Sequence, residues 1–293
     1  MSADAFSAFP DGAPVALLDL VKTKSPDTRR AFVASVERLA AEAGGRVMLA
    51  NVPIAPMIVP DEEARRSDDA IGLLVVTQYP TRQAGQIAIA KRNDQGTELS
   101  NDEVRTYAAQ PVGRIESWIG RTLPYTLGLL RREPVPKIDG AEALDAMIGR
   151  ALVLGEQPDE TRWARLAERA GDRPIWMLNF LEFAKTAVYA GDAQDTAPSA
   201  PISGARAYRL YGSGMISSLA AVGGRVAWSG SRIGQLAGPD DGPWHQVAIA
   251  FYPSAAAMMT MLAQPKYRAA HVHRDAALAR TRLLATQPIE RRA

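Results

Sequence analysis

The sequence predicts an α+β protein built from two copies of one module, because three segments of its first half recur in its second half. The first pair is offset by 160 residues (174 − 14), and Arg274 follows Arg114 by the same interval. A repeat of this length indicates two fused domains and not a solenoid. The paired segments are PVALLDLVK at 14–22 with PIWMLNFLEF at 174–183, AGGRVMLANVP at 43–53 with VGGRVAWSGSR at 222–232, and IGLLVVTQYPT at 71–81 with QVAIAFYPSAA at 246–256.

The first copy opens with a strand and a helix. Val15 to Val21 is an apolar run of strand length. Ser25-Pro26 is typical of a helix N-cap and first turn, and Gly44-Gly45 is typical of a helix end. Strands are predicted at Arg46–Val52 and Ile71–Tyr79, where β-branched residues are frequent.

The remainder of the first copy is less regular. Thr81 is suited to cap the helix that follows the third strand. Ser100 and Glu103 have the spacing of a capping box, which predicts another helix near 101–109. Thr126–Leu130 is predicted as the strand that closes the sheet.

The second copy repeats this order with stronger signals. A polar segment with Pro and Gly, 184–203, follows its first strand and is typical of a long loop. Pro265 separates two helices after its third strand. The predicted elements are strands at Ile175–Phe183, Arg225–Gly230, Val247–Tyr252 and Arg282–Thr286, and helices at about 204–222, from Ser254 to before Pro265, and from Tyr267 to Leu278.

The segment between the copies matches neither and is predicted to hold two helices, Ala141–Leu154 and Thr161–Ala170. We therefore expect a ferredoxin-like copy one with a degenerate site at 1–135, a helical connector at 136–173 and a copy two with the candidate site at 174–293. Each copy has the order β-α-β-β-α-β, the ferredoxin-like pattern. Such a sheet has one bare face, which we expect to be buried against the other copy.

Composition narrows the classes of function. The chain has 293 residues, of which 47% are hydrophobic and 23% charged, and its net charge is +2. These values are typical of a soluble globular protein. Basic residues are scattered, so nucleic acid is not expected as a partner. The absence of cysteine excludes disulfides, thiolate metal sites and cysteine nucleophiles. Neither a signal peptide nor a membrane span is predicted, so we expect a cytoplasmic protein.

Five segments of the second copy carry a resemblance to a known group. They are MLNF at 177–180, AYRLY at 207–211, GGRVAWSG at 223–230, FYPS at 251–254 and PKYRAAHVHRDAAL at 265–278. With these residues the sequence resembles the dimeric α/β-barrel superfamily, in a domain-of-unknown-function branch related to EthD-like and antibiotic-biosynthesis-monooxygenase proteins. The resemblance implies that two tandem ferredoxin-like domains form an intramolecular dimeric α/β barrel. It also implies ligand pockets between each sheet and its helices, and many members of the superfamily need no cofactor.

The catalytic candidates lie close together on the last predicted helix. His271 and His273 have no histidine counterpart in the first copy, and either is suited to act as a general base near neutral pH. Arg274 is suited to hold a substrate carboxylate or enolate. The alternative is structural, with histidines on the helix surface and an arginine bonded to backbone. Because 200° separates residues two apart on a helix, the two histidines are not expected to face one pocket.

Five further residues are candidates for substrate binding. Asn179 lies in the middle of an apolar strand and needs hydrogen-bond partners there, and Asp19 matches it in the first copy. For each candidate the alternative is a structural role, in the core or at a strand edge. The candidates are Asn179, Tyr208, Tyr211, His245 and Tyr252.

The function expected from these residues is cofactor-independent acid/base chemistry on a small, partly apolar organic molecule, of the isomerase, cyclase or lyase type. No cofactor and no metal site is predicted. Two alternatives stay open: a small-molecule-binding or structural protein without turnover, and a haem-binding or oxygen-using, monooxygenase-like enzyme. The expected partner is a small-molecule ligand, and the chain is expected as a monomer (a pseudo-dimer) or as a homodimer of whole chains.

Overall fold

Eight antiparallel strands close into one barrel in the computed structural model, which describes residues 6–58, 70–94, 103–112, 134–135 and 160–289. The strands are β1 (Val15–Lys22), β2 (Arg46–Ile58), β3 (Ile71–Tyr79), β4 (Val104–Pro111), β5 (Ile175–Phe183), β6 (Arg225–Ala237), β7 (Gln246–Tyr252) and β8 (Leu278–Pro288). The helices are α1 (Pro26–Glu42), α2 (Arg82–Asp94), α3 (Glu160–Ala170), α4 (Gly204–Ala221), α5 (Ala255–Ala263) and α6 (Pro265–Ala277), with a short 3-10 helix at Gly191–Thr196.

The barrel consists of two β-α-β-β-α-β units joined at their edges. The first unit has the strand order β4-β1-β3-β2 and the second has β8-β5-β7-β6. Strand β2 pairs with β8, and β4 pairs with β6, so neither sheet keeps a free edge. This closure confirms the predicted fold class, an intramolecular dimeric α/β barrel.

The bare faces of the two sheets meet inside the barrel, as expected from the need to bury them. Leu18 and Val76 from the first unit and Leu178 and Ile249 from the second belong to one buried cluster. In strands β1 and β5 the residues between these interior positions, including Asp19 and Asn179, face the helices instead.

Local sequence explains how the helices begin. The Ser25 hydroxyl accepts a hydrogen bond from the backbone N–H of Thr28 at 3.2 Å, and Pro26 occupies the first turn of α1. Ser203 caps α4 in the same way, through the backbone N–H of Arg206 at 3.3 Å. Thr81 caps the start of α2, as predicted, by accepting from the N–H of Ala84 at 3.1 Å.

Two predictions for the first unit need correction. The helix predicted near 101–109 is wrong, because Val104–Pro111 forms β4 between β1 and β6. This strand completes the first sheet at its edge next to β1. The predicted strand Thr126–Leu130, the predicted helix Ala141–Leu154 and Arg114 lie outside the described residues. The second predicted connector helix is present as α3.

One end of the barrel interior contains a buried ion pair. Arg282, which is fully buried, donates to both carboxylate oxygens of Asp241. The same carboxylate accepts from the hydroxyl of Tyr107 at 2.6 Å and from the indole N–H of Trp244 at 3.2 Å. Burial alone would raise the pKa of Asp241, but the hydrogen bonds and charge of Arg282 outweigh it and lower that pKa.

Candidate functional site

A cavity of about 100 Å³ lies between the outer face of the second sheet and the helices α4 and α6. Its wall is mostly apolar, with Met177, Met215 and Met258 among the lining residues. The two helices approach closely because Gly214 faces Ala270: a Cβ at Gly214 would lie 2.7 Å from the Cβ of Ala270. The polar side chains that line the cavity are Asn179, Tyr208, Tyr211, Tyr252, Tyr267, His271 and Arg274.

Arg274 supplies a positive charge to this cavity. It lies in the last turn of α6 and is 9% exposed. Its closest carboxylate among the described residues is that of Asp275, whose Oδ1 lies 4.0 Å from Nη1 of Arg274. The side chain of Asp275 is 58% exposed. The guanidinium of Arg274 donates no hydrogen bond to the described part of the chain. Burial lowers the pKa of Arg274 and the surrounding tyrosines raise it, with a net increase, so the side chain remains a cation.

Four tyrosines surround the same space. Burial raises the pKa of Tyr208, Tyr211, Tyr252 and Tyr267 above the ordinary value, so all four are neutral phenols at physiological pH. The hydroxyls of Tyr211 and Tyr267 are 3.3 Å apart, and that of Tyr252 lies 3.8 Å from the sulfur of Met261. A neutral phenol donates one hydrogen bond. The Tyr252 hydroxyl donates to Met261 and one hydroxyl of the Tyr211–Tyr267 pair donates to the other, so Tyr208 and the remaining member of that pair supply the donors that favour negative charge in the pocket.

His271 is the histidine that reaches the cavity. Its Nδ1 lies 3.0 Å from Oδ2 of Asp275, one turn further along α6, and its ring contacts those of Tyr211 and Tyr267. A carboxylate beside Nδ1 favours the tautomer with a proton on that atom. The Nε2 atom of His271 is then the basic nitrogen. Asp275 was not among the sequence candidates, although its spacing of four from His271 is visible in the sequence.

The other two histidines are not among the cavity-lining residues. His273 bonds through Nδ1 to the hydroxyl of Tyr189 at 2.9 Å, so it holds the long 184–203 loop. Burial lowers its pKa. His245 is exposed, and its Nδ1 accepts from the backbone N–H of Phe183 at 2.8 Å. The structure therefore brings His271 and Arg274 together and places His245 and His273 elsewhere.

Asn179 contributes an amide to the cavity floor. Its Nδ2 donates to the backbone carbonyls of Met177 at 3.0 Å and Ala248 at 3.4 Å. Both amide protons are therefore engaged with the sheet. No donor from the described residues reaches its Oδ1, which remains available as an acceptor.

The first unit has the same framework with different chemistry. Asp19 stands opposite Thr106 in the sheet, as Asn179 stands opposite Leu283. Arg92, in the last turn of α2, donates to Oδ1 of Asp19 at 2.8 Å and to the hydroxyl of Thr106 at 2.8 Å. Thr106 also donates to Asp19 at 2.7 Å. Among the described residues the structural counterpart of Arg274 is therefore Arg92, whereas Arg114, which the sequence repeat matched to it, lies outside them.

Two lining residues come from outside the second unit. Ile58 reaches the cavity from β2, and Trp163 reaches it from α3. The indole N–H of Trp163 is buried and has no hydrogen-bond partner in the described part of the chain. Both residues pack with the cluster that contains Met177. Sequence reasoning missed them because Ile58 lies 119 residues before Met177 (177 − 58) and Trp163 lies in the predicted connector, outside the second copy.

The described residues show no grouping of side chains typical of a metal site. Within the described ranges, no three His, Cys, Asp or Glu side chains are grouped as metal ligands. A cavity of about 150 Å³ holds one benzene ring, and the present one, at about 100 Å³, is smaller still. None of the described helices is long and apolar enough to span a membrane.

Comparison with solved structures finds a protein of unknown function from Rhodopseudomonas palustris. It is 33% identical, covers 46% of this chain and 96% of its own length, and has a TM-score of 0.39. The chain belongs to the same family as that protein. No protein-family model matches the sequence, and no curated protein matches it.

Two other solved structures are similar over nearly the whole chain. One is a putative monooxygenase from Lactobacillus acidophilus, with 10% identity, coverage of 94% of this chain and 93% of its own, and a TM-score of 0.42. The other is chlorite dismutase from Candidatus Nitrospira defluvii, with 10% identity, coverage of 98% and 96%, and a TM-score of 0.42. At such identities function has to be argued from the site itself.

Proposed function

We propose that the second unit is a cofactor-independent acid/base catalyst for a small, partly apolar organic molecule, in which a proton is moved at a carbon beside a carbonyl group. The observation that supports this is the shared cavity of His271, Arg274 and the tyrosine hydroxyls. The first unit then serves mainly to complete the barrel, since Arg92 is engaged with Asp19 there.

His271 is the proposed base. Its Nε2 takes a proton from the substrate carbon. The C–H electron pair forms a C=C bond to the carbonyl carbon, and the π pair of the carbonyl moves onto its oxygen to form an enolate. Return of that proton to the other end of the enolate system completes an isomerisation, in which atoms and charge balance. Asp275 orients the ring and stabilises the imidazolium that forms, a contribution limited by the exposure of Asp275.

The negative charge that develops on oxygen is stabilised by the donors of the cavity. Arg274 supplies a cation, and the neutral tyrosines supply O–H groups that are fixed by packing. Such fixed donors act more strongly in a water-poor pocket than in water, and loss of one typically costs about 10²–10³ in rate. The methionines of the wall adapt to the apolar part of the substrate.

Hydrogen–deuterium exchange tests the proposal without knowledge of the natural substrate. The full chain in D₂O is mixed with butanone or with α-ketobutyrate, two small compounds that share an enolisable methylene group, and loss of its proton NMR signal is followed. We expect faster exchange in at least one of them, and a decrease of about 10²–10⁴-fold in His271→Gln. Exchange at the buffer rate for both compounds refutes catalysis and leaves a binding protein.

A further inference from the structure

We propose that the ligand of the second unit carries a carboxylate, that this group pairs with Arg274, and that the site selects an anion because the uncharged Asn179 stands where the first unit has the carboxylate of Asp19. The inference rests on the proposed function only in using the same cavity. It names the class of ligand: a small carboxylic acid with a short apolar body.

The first unit has the same arrangement of strands and helix, but there the buried arginine faces a carboxylate of the protein itself. The Asp19 carboxylate is 1% exposed and accepts from Arg92 and Thr106, so the buried cation is neutralised within the protein. Each arginine occupies the last turn of the helix that precedes the last strand of its unit. Arg92 bonds to the paired residues Asp19 and Thr106, and Arg274 lines the same cavity as the corresponding pair, Asn179 and Leu283.

The second unit differs at the position that carries the charge. Asn179 replaces the carboxylate with an isosteric, neutral amide, whose N–H groups are bonded to the backbone of the sheet. Arg274 is thus a buried cation for which the described residues offer only the exposed Asp275, at 4.0 Å. Burial of a charge without a partner is unfavourable, so the arrangement favours a ligand that brings the missing negative charge.

The cavity defines the rest of the ligand. A guanidinium binds a carboxylate through two parallel N–H donors, and the tyrosine hydroxyls add further donors to the same oxygens. Beyond these groups the wall is formed by Met177, Met215 and Leu283. At about 100 Å³ the space suits an apolar body of a few carbon atoms, and a ring requires the methionines to move.

Binding of matched acids and amides tests this assignment. Butyrate and benzoate are titrated into the full chain and compared with butyramide and benzamide, which have the same shape without charge, by calorimetry or ligand-observed NMR. We expect an acid to bind at least about tenfold more tightly than its amide, because a hydrogen bond to a charged group is worth more than one between neutral groups. Acid and amide of equal affinity, or no binding of either acid, overturns the inference.

Four variants connect the result to the named residues. Arg274→Met should remove the preference for acid over amide, whereas Arg268→Met, at an exposed position of the same helix, should keep it. Asn179→Asp should weaken acid binding by at least about tenfold, because it supplies the carboxylate internally as Asp19 does. Asn179→Leu is uncharged and should retain the preference for the acid. Unchanged acid binding in Asn179→Asp overturns the role assigned to this residue. An unchanged preference for the acid in Arg274→Met overturns the pairing of the carboxylate with Arg274, whether or not Asn179→Asp folds.

Failure of this inference and failure of the proposed function give different results. Proton exchange in butanone together with equal binding of acids and amides overturns the carboxylate assignment and leaves the acid/base function. Selective acid binding without exchange in either butanone or α-ketobutyrate leaves the carboxylate assignment and refutes the acid/base function.

Discussion

Replacement of Arg92 by methionine and replacement of Arg274 by methionine should change the stability of this protein in opposite directions. Arg92→Met removes the partner of Asp19, whose carboxylate is 1% exposed, and leaves that charge buried and uncompensated. Loss of one partner of a buried pair typically costs about 3–5 kcal/mol. At about 2 °C per kcal/mol for a chain of this size, we expect the melting temperature to fall by about 6–10 °C.

Arg274→Met should have no such cost. The substitution removes a buried cation that has no close buried carboxylate among the described residues, and methionine extends the existing apolar wall. Replacement of buried charge by apolar side chains is often neutral or stabilising by about 1–4 kcal/mol. Part of this gain is lost because Arg274 retains 9% exposure, so we expect a rise in melting temperature of about 0–5 °C.

Thermal unfolding followed by circular dichroism measures both variants under the same conditions. Both arginines lie in the last turn of their helices, so the favourable interaction with the helix dipole is lost equally and does not affect the comparison. A fall in melting temperature for Arg274→Met as large as that for Arg92→Met would refute the reasoning. It would show that Arg274 has an internal partner and is structural.

Three further outcomes are expected. His273→Gln should leave the exchange rate within about twofold of the parent, unlike His271→Gln, because His273 is not a cavity-lining residue. Burial lowers the pKa of His273 from 6.5, so the unfolded chain binds the proton more readily than the folded chain. Urea titrations should therefore show that the free energy of unfolding decreases as the pH falls below 6.5. The decrease should be smaller in His273→Gln. Asp241→Asn should destabilise by about 3–5 kcal/mol because its arginine partner is fully buried, whereas Asp240→Asn, at an exposed position, should change stability by less than about 0.5 kcal/mol in the same titrations.

Much of the second unit could be predicted from its sequence. Its helices carry local start signals, such as Ser203, and its strands are continuous apolar runs. The helical spacing of Tyr267, His271 and Arg274 predicted their common face, because this relation depends on residues within one element. Local sequence patterns were therefore sufficient to predict features that depend on residues within a single helix or strand.

The errors arose where distant residues decide the structure. The segment after Ser100 has the pattern of a helix start, but pairing with β1 and β6 makes it a strand, since burial in a sheet overrides local propensity. The match of Arg274 to Arg114 assumed a constant offset of 160. The offset is already 173 between Tyr79 and Tyr252 (252 − 79), because the second unit contains the additional 184–203 loop.

The sequence also contained no sign of two residues of the cavity wall, because they lie outside the second unit. Trp163 and Ile58 enter the wall from α3 and β2, which lie before the second unit in the chain. No periodicity relates them to the helix that carries Arg274. Their contribution follows only from the closure of the barrel, which brings β2 beside β8.

That closure also has a kinetic consequence. The pairing of Asn51 with Pro288 joins residues 237 apart in the chain (288 − 51), so this seam forms only after most of the polypeptide has been synthesised. Until then each half presents unpaired edge strands that can pair with those of another molecule. Two chains that exchange halves would rebuild the same seams between molecules, as in domain swapping. Refolding at high protein concentration should therefore yield an exchanged dimer, and dilution should favour the single-chain barrel.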